Sequence, residues 1–158
     1  MLLALSISIF LSGSTATALT VQRQRISSAV YISSLVLGCL AGFAAVITGE
    51  WAQPGTLFSL WSLPSARLTV CLDPLSSFFL LTVLGICLAA GVYGETYVRA
   101  SRSLSRRKSI RPLFLILTAS LAAVVCAHNA LLFLFAWEVM ALSSFFLVMV
   151  EDEHAQVR

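Results

Sequence analysis

The sequence predicts an all-α integral membrane protein with about five transmembrane helices and a short outer β-hairpin loop. Three observations predict it. Only 11% of the 158 residues are charged and 59% are hydrophobic, whereas a soluble domain carries about 25% charged residues. The apolar residues gather in long runs, several of them near the ~20 residues that carry a helix across a hydrocarbon core of about 30 Å. The basic residues collect between the runs rather than inside them, as they do in the loops of multispanning proteins.

The first segment covers residues 2–21. No basic stretch precedes it, and Arg23 and Arg25 follow it. That order predicts an uncleaved span that enters from outside rather than a cleaved secretion signal. Ser6, Ser8, Ser12, Gly13, Ser14, Thr15, Thr17 and Thr20 make it rich in small and hydroxylic residues, which favours contact with protein over contact with lipid. The second segment, 26–49, carries Gly38 and Gly42 at the four-residue spacing that lets another helix backbone approach.

Residues 50–73 form an outer loop with turn signals at Pro54-Gly55 and Pro64-Ser65. Around them, residues 57–61 and 67–72 predict a short β-hairpin, the second by its period-two alternation. Trp51 and Trp61 are expected to anchor at the interface. Asp73-Pro74 then places a capping carboxylate before a first-turn proline and opens the third segment, 74–94. A basic inner loop, 95–111, precedes Pro112, which the same proline signal makes the start of the next helix.

The last apolar stretch, 112–150, is too long for one crossing, at nearly 60 Å for ~1.5 Å per residue. His128-Asn129 is its polar interruption and marks a turn, dividing it into spans at 112–127 and 130–150. With five spans, Arg23, Arg25, Arg99, Arg102, Arg106, Arg107, Lys108, Arg111 and Arg158 share one side, and only Arg67 lies on the other. The positive-inside rule makes the basic side the cytoplasm, with the N-terminus outside and the C-terminus inside.

Glu138 is the one charged residue between Arg111 and Glu151. A carboxylate is too short to snorkel from that depth as a lysine does. Ionisable groups held there at a cost of several kcal/mol usually face protein or water and serve a proton or ion task. The bland alternative is a protonated, hydrogen-bonded packing residue. His128 has the same two readings, a proton relay or a polar turn residue at the interface, and Asn129 reads as a cap or turn.

Cys39 and Cys87 fall inside apolar runs, where cysteine is usually a small hydrophobe. Cys71 and Cys126 lie nearer run ends, and a disulfide between them stays open. With no CxxC and no Cys/His cluster, no cofactor and no metal are expected. The acidic tail Glu151, Asp152, Glu153 and His154 is a poor ion cage, because adjacent residues rarely converge on one ion. Too few residues remain outside the membrane to support nucleic-acid binding. No HExxH, GxSxG or paired helical aspartates support an intramembrane hydrolase.

Three stretches carry a family resemblance: LDPLSSFFL at 72–80, VCAHNALL at 125–132 and WEVMALSSFFL at 137–147. Together they resemble the antiporter-like, proton-pumping membrane subunits of respiratory NADH:quinone oxidoreductase (complex I), of Mrp-type cation/proton antiporters and of membrane-bound [NiFe]-hydrogenases. The MALSSFFL form is most similar to the hydrogenase-4 component B branch. The resemblance implies that Glu138 matches the fifth-helix glutamate of a proton path, opposite a lysine on a later helix. It implies as partners the other membrane and peripheral subunits of such a complex, which would carry the electron transfer. Family members have about fourteen helices; this chain has five, and its one lysine, Lys108, lies in the inner loop. The expectation is therefore the N-terminal part of such a subunit, truncated, one piece of a split one or a non-functional fragment, with no catalysis of its own. A structural or assembly protein, using its helices as packing surface and its basic loop to bind anionic lipid or a partner, is the rival.

Overall fold

The computed structural model describes residues 2–20, 22–49, 55–59, 67–100 and 104–151. In chain order these form α1 (Leu2–Leu19), α2 (Gln24–Ile47), β1 (Gly55–Ser59), β2 (Arg67–Val70), α3 (Pro74–Ala100), α4 (Leu104–Val125) and α5 (Ala130–Glu151). The helices α1, α2, α3 and α5 are long and apolar enough to cross a bilayer, while the apolar part of α4 is the shorter Ser109–Val125. The chain is thus a helical, membrane-spanning protein.

The ends of these elements have local causes. Asp73 Oδ1 accepts the Ser76 N–H at 2.5 Å and caps α3, and that donor holds the exposed Asp73 carboxyl below the usual carboxylate range. Asn129 Oδ1 accepts the Leu132 N–H at 2.9 Å and caps α5. At the end of α2, Gly49 takes φ 65°, the left-handed conformation that suits glycine after a helix. The expected turn at His128-Asn129 is present, with α4 ending at Val125 and α5 starting at Ala130.

The expected inner loop at 95–111 is corrected. Helix α3 continues through the charged residues to Ala100, and α4 begins at Leu104, so most of that loop is helix. Pro112 lies inside α4 rather than at its start. Glu95 and Arg99 pair at helical spacing, which sustains the helix where hydropathy alone ends it.

The hairpin is antiparallel, with Gly55 opposite Val70 and Ser59 opposite Arg67, and with a register irregularity between Thr56 and Phe58. Its strands are 55–59 and 67–70, shifted and shortened from the expected 57–61 and 67–72. Trp51 and Trp61 lie outside the described residues.

Helices α1 to α4 share the core. α1 packs on α2 and α4, α3 packs on α2 and α4, and α5 packs chiefly on α4. Phe10, Leu35, Leu80, Leu84 and Leu115 are its fully enclosed large apolar side chains. The hydroxyls expected at helix contacts divide: Ser6, Ser14 and Thr17 are buried, while Ser8, Ser12 and Thr15 are exposed. Ser6 Oγ donates to the Gly38 carbonyl at 2.7 Å. A Cβ on Gly38 would sit 2.4 Å from the Phe10 ring, so the glycine spacing on α2 does admit α1. Gly38→Ala is expected to cost about 1–3 kcal/mol by overpacking a ring that cannot swing out. Gly85→Ala meets nothing within 4 Å and should be neutral or mildly stabilising through helix propensity. Thermal unfolding in detergent separates the two, and an equal response would contradict the close approach.

Ser77 Oγ is buried and has no hydrogen-bond partner among the described residues. An unmet buried hydroxyl is a net cost. Ser77→Ala is therefore expected to stabilise the fold by up to about 1 kcal/mol. A loss of stability in the same unfolding measurement would mean that the hydroxyl is used.

Candidate functional site

The packed face of α5 is narrow. Leu132, Ala136 and Ser143 are buried, and they recur at helical spacing on the side facing α4. Leu131, Leu134, Phe135, Trp137, Leu142 and Phe145 are exposed. Glu138 belongs to this open face and makes no hydrogen bond or ion pair among the described residues. It lies about 12 Å from the start of α5 at ~1.5 Å per residue, near mid-depth of a ~30 Å core. Among the described residues, no hydrogen bond holds this carboxyl within the packing, as the bland reading would require.

His128 and Asn129 do not join Glu138. They sit at the α4–α5 turn, more than two helical turns away. The His128 side chain is exposed, and its backbone N–H donates to the Thr69 carbonyl at 3.0 Å. This bond, the Val70–Ala127 bridge and the Cys71 N–H donating to the Cys126 carbonyl at 2.9 Å sew β2 to the turn. The hairpin and the α4–α5 turn therefore occupy one end of the bundle.

The opposite end holds a buried ion cluster that hydropathy did not reveal. Arg111 is 1% exposed and Glu95 is 3% exposed. Arg111 Nε donates to Glu95 Oε2 at 2.9 Å and its Nη2 donates to Oε1 at 2.7 Å, a two-point grip. Arg111 Nη1 also donates to Ser27 Oγ at 3.1 Å. Arg99 donates through Nε to Glu95 Oε1 at 3.0 Å and through Nη2 to Ser28 Oγ at 2.5 Å. Two guanidiniums thus share one carboxylate, and α2, α3 and α4 all contribute. Gly91, one turn before Glu95, makes this possible: a Cβ there would meet Leu35, Phe114 and Tyr31 at 2.5 to 2.9 Å. One sequence signal pointed to the cluster, the four-residue spacing of Glu95 and Arg99.

Chemically, the cluster is closed: its carboxylate oxygens are taken, so it suits holding helices rather than exchanging protons. Glu138 is the open group. Among the described residues, no three His, Cys, Asp or Glu side chains gather as metal ligands. Asp152, Glu153 and His154 lie outside the described residues.

No protein-family model matches the chain. Two uncharacterized proteins of Mycobacterium tuberculosis, one from strain CDC 1551 / Oshkosh and one from strain ATCC 25618 / H37Rv, are each 30% identical to it over 119 residues. The aligned stretch is 75% of this chain but only 18% of either relative. The chain thus spans less than a fifth of the length of the curated relatives it matches.

Proposed function

We propose that the chain is part of a proton-translocating, antiporter-like subunit of a membrane-bound hydrogenase or NADH:quinone oxidoreductase-type complex. In this reading Glu138 is its proton-handling group, and partner subunits carry out the electron transfer. The observation that carries the proposal is the open position of Glu138, at mid-helix on a face that the described residues leave uncovered. An isolated carboxyl against lipid costs about 2.5–3.5 kcal/mol on insertion scales, so a basic or polar group from outside these residues is expected to cover it. The alignment to much longer relatives supports such added polypeptide. The three stretches that carry the family resemblance all lie within described elements or their caps.

The same reading places all five helices across a bacterial cytoplasmic membrane, with the hairpin and its Arg67 outside and the other basic residues inside. Helix α4 spans in spite of its short apolar part because its deepest charge, Arg111, is neutralised by Glu95. The test is Glu138→Gln in the assembled complex, with electron transfer and proton uptake followed together in sealed vesicles. Undiminished proton movement would refute the role of Glu138.

A further inference from the structure

Two of the four cysteines, fifty-five positions apart in sequence, meet at the hairpin end. The Cys71 N–H donates to the Cys126 carbonyl at 2.9 Å, the His128 N–H donates to the Thr69 carbonyl at 3.0 Å, and Val70 bridges Ala127 between them. Cys71 and Cys126 are therefore opposite one another, one residue along from an isolated antiparallel bridge. Directly opposite residues of an antiparallel pair have Cα atoms about 4.5–5.5 Å apart, inside the 4.4–6.8 Å that a disulfide requires. Both thiols are free in this structure. Cys71 is half-buried and Cys126 is fully buried. Cys39 and Cys87 are enclosed within α2 and α3, away from solvent at either end.

We propose that Cys71 and Cys126 form a redox-operated staple, closed by exchange with an incoming small-molecule or protein disulfide on the outer side of the membrane and reopened by thiols. The Cys71 thiolate attacks one sulfur of the incoming disulfide, giving a mixed disulfide and releasing one thiolate. Cys126 then gives up its proton and attacks the Cys71 sulfur, forming the internal S–S bond and releasing the second thiolate. The two protein thiols lose two electrons, the reagent gains them, and two protons accompany the released thiols. Burial pushes the Cys126 thiol up to about 12, so its thiolate is scarce at neutral pH and the more accessible Cys71 is the entry point.

Closing the bond ties the residues just before α3 to the residues just after α4. It fixes the turn from which α5, and with it Glu138, departs. The outer location rests on the orientation proposed above, whereas the pairing does not.

The experiment treats intact cells expressing the full chain with a membrane-impermeant, charged disulfide reagent. Remaining thiols are trapped by alkylation, and the digested protein is read by mass spectrometry. The expected result is a peptide pair joined through Cys71 and Cys126, lighter by two hydrogen atoms and separated by reductant, with Cys39 and Cys87 unlinked. Cys71→Ser should abolish the link without lowering the yield of protein. A link that forms only after the membrane is permeabilised supports the staple and reverses the orientation. A Cys71 that is merely capped, or left unmodified, in permeabilised membranes, with no joined peptide, overturns the staple.

Discussion

Glu95→Leu is expected to be the most damaging single substitution in the chain, costing about 3–5 kcal/mol, the usual result of stripping one partner from a buried ion pair. Arg111 is 1% exposed and would lose both of its bonds to the carboxylate, keeping only Ser27 Oγ. It would have to stay charged in the core or drag the first turns of α4 toward water. Arg111→Met should be milder, since Glu95 retains Arg99. The Arg99 side chain is 57% exposed, so that remaining pair contributes little beyond about 1 kcal/mol. Glu95→Leu with Arg111→Met should recover most of the loss, because removing both charges also removes the cost of drying them. Thermal unfolding of the purified protein in detergent, run as a double-mutant cycle, gives the coupling directly. Additive effects would mean that the two residues are not the pair seen here.

That cluster also shows where reading the residues in order falls short. Asp73-Pro74 and His128-Asn129 are local signals, acting within a turn or two of the chain, and both mark helix ends in the structure. Glu95 and Arg111 are sixteen positions apart and belong to different helices. Hydropathy treats each as a reason to stop a span, because it scores charge without knowing what will neutralise it. The extension of α3 and the early start of α4 follow from a contact that exists only once the helices are packed. Pro112 misled for a related reason: a first-turn proline is a common signal, but α4 tolerates it in the interior. The depth of Glu138 was legible because a single charge in a long apolar run needs no periodicity to be seen. Its direction was not. Apolar residues surround it on every side of α5, so no stripe distinguishes the packed face from the open one. The meeting of Cys71 with Cys126 was likewise a matter of strand register across fifty-five residues, although both were visible as cysteines outside the middle of a span.

Glu138→Gln is expected to remove proton translocation from the assembled complex while leaving the chain itself folded. The open face explains why these two effects separate. No described group bonds to the carboxyl, so neutralising it leaves no orphaned partner among the described residues, and purified Glu138→Gln should unfold within about 0.5 kcal/mol of the parent, as surface changes usually do. In the complex the carboxylate is proposed to stabilise the charged form of a base supplied by other polypeptide. An opposite charge within about 4–6 Å typically raises the pKa of such a base by about 1–3, so glutamine, which offers no charge, would lower the ratio of its charged to its neutral form by about ten- to a thousandfold at a fixed pH. Glu138→Asp keeps the charge about one methylene short and should retain part of the activity. Proton uptake in sealed vesicles, normalised to electron transfer in the same vesicles, should therefore rank the parent above Asp and Asp above Gln. If Gln and Asp both match the parent in uptake, the carboxylate takes no part in proton transfer. If Gln instead destabilises the isolated chain by several kcal/mol, its side chain is packed within the chain after all, and the exposed face of α5 is not its site.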